Sequence, residues 1–72
     1  MRGGRHHGVS NERPALDSAA TTIQDLVTRV ANTAERFEAA GDEATASDLY
    51  DVERSLRAAA RRLGLVVRRL DR

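Results

Sequence analysis

Cysteine is absent from this 72-residue chain, so no disulfide can staple the fold and no thiolate can hold a metal. Lysine is absent too: all twelve basic residues are arginine, a bias typical of GC-rich, actinobacterial-like coding sequences. Tryptophan is missing, and phenylalanine, tyrosine and proline occur once each. So few aromatics leave little to plug a large core or stack on bases. No apolar run approaches the ~18 residues that a membrane span needs. The segment Met1–Ser10 has two arginines but no apolar stretch, which argues against a secretory signal and for a cytoplasmic protein.

These absences also empty the usual catalytic repertoire. Without Cys or Lys, and with histidine only as the adjacent pair His6 and His7, no nucleophile has a base beside it. No third ligand stands at helical spacing from that pair, so no metal site is expected. Asp48 and Asp51 fall on solvent-facing helix positions with nothing nearby to perturb them, a poor setting for acid–base work. Gly3-Gly4 follows no strand and makes no phosphate loop. The chain is therefore expected to be neither an enzyme nor a cofactor binder.

What remains is a strong helical pattern. Residues 1–13 carry three glycines and no periodicity, and read as a disordered, mildly basic arm. Ser10 and Asn11 are good N-caps and Pro14 suits a first turn, placing the start of helix 1 between Asn11 and Ala15. Leu16, Ala20, Ile23, Val27, Val30, Ala34 and Phe37 then alternate steps of four and three, the pattern of a coiled-coil seam. Leu26, Ala19 and Ala40 widen this stripe on one flank and Ala31 on the other.

Gly41 can take the left-handed conformation that ends a helix, and Asp42 can cap the next one. A turn this short makes the helices antiparallel neighbours. In helix 2, Leu49, Val52, Leu56, Ala59, Leu63, Val66 and Leu70 continue the alternation, with Ala46, Ala60 and Val67 broadening it. Gly64 interrupts helix propensity, but the phase runs through it unbroken, so the helix is expected to continue. The fold class read from sequence is thus all-α: an antiparallel two-helix hairpin over 14–72, with helix 1 at about 14–40, a turn at 41–42 and helix 2 at about 43–70.

Chains this short rarely complete a core alone. Stripes three positions wide exceed what two helices cover, so a second hairpin is expected to close a four-helix bundle. A homodimer needs nothing beyond this sequence, and a helical protein partner would serve the same need. The expected interface comprises Leu16, Ile23, Leu26, Val27, Val30, Phe37, Leu49, Val52, Leu56, Leu63, Val66 and Leu70. Tyr50, Leu65 and Val67 mark a candidate second contact surface.

The net charge of +1 conceals a marked asymmetry. Residues 41–53 hold five carboxylates and no base, whereas residues 54–72 hold seven arginines against Asp71. Such a layout complements a helix dipole and includes the favourable pair Glu53 and Arg57. Folded as a hairpin, it also polarises the rod, with acid at the turn and arginine at the open end. Arg57, Arg61, Arg62, Arg68 and Arg69 are the candidate anion-binding residues. Two functions follow as expectations: a non-catalytic interaction or regulatory adaptor that self-associates, or a nucleic-acid-binding accessory protein. The second lacks aromatic stacking groups and any DNA-binding motif. A membrane surface is less favoured still, for want of aromatic anchors.

Overall fold

The computed structural model describes the backbone of residues 2–70 and the side chains of residues 12–70. Two helices make up the described fold: α1, Arg2–Ala39, and α2, Glu43–Leu70, packed against each other as a hairpin. α1 extends back through Pro14 to Arg2, further than the start expected between Asn11 and Ala15. Nothing before Pro14 forbids helical backbone, because the glycines there lower propensity without blocking it. Pro14 withholds an N–H from the Ser10 carbonyl and its ring crowds that carbonyl, a cost that α1 carries where it passes this residue. Further along α1, Thr21, Thr22, Thr28 and Thr33 donate their hydroxyls to carbonyls one turn back, at 3.0–3.5 Å. Those bonds satisfy the hydroxyls of β-branched residues that would otherwise favour other backbone forms.

The turn is built as the sequence implies. Gly41 has φ +89°, a conformation that costs any side-chain-bearing residue strain. Its N–H donates to the Glu38 carbonyl at 3.0 Å, and the Asp42 N–H donates to the Phe37 carbonyl at 2.9 Å. This pair of bonds is a Schellman closure of α1. Asp42 simultaneously opens α2. Its Oδ1 accepts the Thr45 N–H at 3.1 Å, its Oδ2 accepts the Thr45 hydroxyl at 2.8 Å, and its carbonyl accepts the Ala46 N–H at 3.1 Å. One residue thus ends one helix and caps the next. At the far end, α2 passes through Gly64 to Leu70, as the unbroken phase implied.

The shaft is thinner than the turn is complete. Among the described residues only Val27, Ala34, Ala46, Ala60 and Val67 are buried, and no leucine, isoleucine or aromatic residue is among them. The molecule measures 57 × 17 × 14 Å with a radius of gyration of 16.9 Å. A compact domain of this length would have a radius near ~11 Å. Its accessible surface is 5525 Å², against the ~4,400 Å² expected of a folded monomer of its mass. More than about 1,000 Å² of extra surface is the signature of a hairpin that covers only part of itself.

The face that α2 turns to α1 is not centred where the leucine-rich spacing suggested. The buried row is Ala46, Ala60 and Val67, joined by the half-buried Glu53. The leucines Leu49, Leu56 and Leu63 lie on the shoulder of that row and are only half-buried. Val52 and Ala59, one residue before Glu53 and Ala60 and so roughly 100° around the helix, are exposed. The buried row is made of smaller apolar side chains, alanine and valine, and the leucines stand at its margin.

Candidate functional site

Ala34 and Ala46 lie on the line where the helices meet, one on each helix and both buried. Four residues beyond each stand Glu38 and Tyr50, and these lean to the same broad side of the hairpin. There the Tyr50 hydroxyl donates to Glu38 Oε1 at 3.1 Å. Three residues beyond each stand Phe37 and Leu49, which lean to the other side. The hairpin therefore has two unlike broad faces.

The Phe37/Leu49 face is apolar along its length. Steps of seven from Phe37 give Val30, Ile23 and Leu16 on α1; steps of seven from Leu49 give Leu56, Leu63 and Leu70 on α2. Val52, Ala59 and Val66 form its outer edge on α2, and Leu26 its outer edge on α1. All these side chains are half-buried or exposed in the single hairpin. Phe37 is 37 % exposed, Val52 45 % and Leu70 44 %. Of the interface residues expected from sequence, this face gathers all but Val27, which is buried between the helices.

The opposite face is polar. Besides Tyr50 and Glu38 it carries Glu35 and Arg57. The Arg57 Nε and Nη2 both donate to Glu53 Oε2, at 2.9 and 2.7 Å. Partial burial of the Tyr50 ring, the bond to Glu38 and the nearby carboxylates of Glu35 and Glu53 hold the phenol above its ordinary pKa. A shallow cleft of about 450 Å³ opens here, lined by Glu38, Glu43, Ala46, Ser47, Tyr50, Asp51 and Arg54. Asp51 is paired with Arg54. The Asp42 carboxyl at the turn is held below the usual carboxylate range, first by the Thr45 hydroxyl and then by the Thr45 N–H.

The candidate second surface of Tyr50, Leu65 and Val67 does not come together. Val67 belongs to the hairpin's interior, because its row and not the leucine row faces α1. Leu65 is 54 % exposed, on the outside of α2. Tyr50 is half-buried and tied to Glu38.

The candidate anion-binding arginines divide as well. Arg57 is engaged with Glu53, whereas Arg61, Arg62, Arg68 and Arg69 are exposed and, among the described residues, form no ion pair. They line the outer side of α2, Arg61 above Arg68 and Arg62 above Arg69 at heptad spacing. Residues 54–70 contain six arginines and no carboxylate, while residues 35–53 contain seven carboxylates and one arginine, Arg36.

Among the described residues no cluster of three or more metal-ligating side chains occurs, and no helix is long and apolar enough to cross a membrane. His6, His7 and Gly3-Gly4 lie outside the described side chains. In comparisons with family models, with curated proteins and with solved structures, no match was found.

Proposed function

We propose that this chain is a non-catalytic interaction module, a small regulatory adaptor that associates with a second copy through the apolar face and presents its polar and arginine-bearing surfaces to a target. The observation that carries this reading is the location of the large apolar residues. The hairpin buries alanine and valine between its helices and leaves Leu49, Leu56, Leu63, Leu70, Val52 and Phe37 along one side. Monomeric proteins rarely present large continuous apolar surfaces, and such surfaces mark association sites. Closing it with a second hairpin yields a four-helix bundle, in which Phe37 would plug the end of the core. Sedimentation equilibrium across a concentration series tests the reading: a single species of one chain's mass throughout would refute it.

The nucleic-acid reading rests on a separate observation, that Arg61, Arg62, Arg68 and Arg69 of α2 form no ion pair among the described residues. Guanidinium groups spaced along a helix suit phosphates, and such binding should fade steeply with ionic strength. No mobility shift with single- or double-stranded DNA or RNA at low salt would remove this reading and leave the adaptor standing.

A further inference from the structure

The geometry points to an antiparallel dimer, in which the acidic turn end of each hairpin lies over the arginine-rich end of its partner. This inference rests on the self-association proposed above and adds the orientation and its consequence.

Size comes first. α2 has 28 residues, a length of about 42 Å at 1.5 Å per residue. With a hairpin width of 17 Å, one whole broad face projects about 700 Å² over that length. Stable interfaces bury about 800 Å² per partner, so a second copy laid face to face matches the need.

Two-fold symmetry then leaves two ways to stack the faces. An axis along the rod puts the turns at the same end, with α1 of one copy over α2 of the other. An axis across the rod puts the turns at opposite ends, with α1 over α1 and α2 over α2, each antiparallel. Same-end stacking would place residues 35–53 of both copies together, bringing fourteen carboxylates against two arginines. It would also gather both arginine segments. Opposite-end stacking instead lays the acidic start of α2, residues 43–53, over the arginine-rich end of the partner's α2, and brings Glu35 and Glu38 to that same end.

The rim of the apolar face sharpens the contrast. Asp48, Arg62 and Arg69 share one heptad position at the border of the Val52–Val66 edge. In the opposite-end arrangement Asp48 of one copy faces the arginine segment of the other. Complementary charge at such flanking positions sets orientation, and like charge there disfavours the alternative.

The consequence is bivalency without pooling. The antiparallel dimer presents two identical arginine surfaces at opposite ends, suited to holding two partners apart, and no single concentrated basic patch forms.

Because the chain has no cysteine, a single spin label can be placed at exposed Ala44, through Ala44→Cys, outside the apolar face. Distance measurement by pulsed electron resonance on the full chain should give about 40 Å between labels, since residue 44 lies near one end of each α2. A distance under about 25 Å in a confirmed dimer means same-end stacking and overturns the inference, while self-association survives. Absence of any inter-label distance, with a single-chain mass, overturns both. Raising salt from 50 to 500 mM should weaken the dimer a few-fold; tighter association in salt would contradict the orientation. The pair Arg62→Glu and Arg69→Glu should weaken dimerisation about ten-fold, and adding Asp48→Arg should recover part of that loss. A charge pair that leaves affinity unmoved counts against the proposal.

Discussion

The turn and the shaft of this hairpin are finished to different degrees. At the turn, Gly41 and Asp42 close one helix and open the next through five hydrogen bonds, all made within the ten residues 37–46. Along the shaft, the buried residues among those described are three alanines and two valines, and the described leucines, isoleucine and phenylalanine remain at the margin. The turn needs only its own sequence. The shaft carries more apolar side chain than its own two helices cover, which is the ground on which an assembly is proposed.

The change with the largest expected effect strikes the shaft. Leu56→Asp places a charge in the middle of the apolar face, where the leucine is half-buried in the single hairpin. The burial left for the dimer to complete is about half of the ~1.5–3 kcal/mol of a leucine, a symmetric dimer loses it twice, and each aspartate adds the cost of desolvating a charge. Dimer dissociation should therefore become at least ~100-fold easier, with helicity falling alongside. A folded, monomeric Leu56→Asp variant would erase the distinction between turn and shaft.

Next comes Gly41→Ala, aimed at the turn. A Cβ there meets nothing within 4 Å, so the penalty is purely conformational, from φ +89°. The expected loss is about 1–2 kcal/mol, read as a lower melting temperature with the oligomeric state intact. An unchanged melting temperature would mean the turn geometry is not enforced.

Gly64→Ala should act in the opposite direction. Gly64 lies in helical backbone with open space around its added Cβ, on the polar side of the hairpin four residues past Ala60. The gain should be about 0.5–1 kcal/mol, measured by chemical denaturation. Destabilisation would show that something else packs against Gly64 in the assembled protein.

The smallest effect is a pH dependence at the cap. The Asp42 carboxyl is held below its unfolded value by Thr45, so its contribution is present above the ordinary carboxylate range. It is lost as pH falls through the lowered folded-state value. The melting temperature of the natural chain should exceed that of Asp42→Ala at neutral pH, and the gap should close in strong acid. A gap independent of pH would show that the ionised cap plays no part.

The sequence made the turn legible because its determinants are local. Gly41 is suited to the left-handed conformation, and the Asp42-to-Thr45 spacing is that of a cap. Continuation through Gly64 was likewise readable, because a single glycine lowers propensity without breaking phase. What spacing did not reveal was which row of α2 would face α1. A stripe three rows wide states how much apolar surface a helix has, not how neighbours divide it. The division followed side-chain size: the row of Ala46, Ala60 and Val67 met α1, and the leucines were left outward. That is why Val67, read as surface, lies inside. The start of α1 escaped for another reason: Pro14 favours a first turn over a helix interior, so it pointed to a later start than Arg2.

Sedimentation equilibrium, with circular dichroism on the same dilution series, tests the central idea most directly. A reversible shift between one and two chain masses, with helicity declining as the larger species dissociates, is the result that follows from an uncovered apolar face. A single-mass, cooperatively folded hairpin at micromolar concentration and below would show that alanine and valine alone hold these helices together.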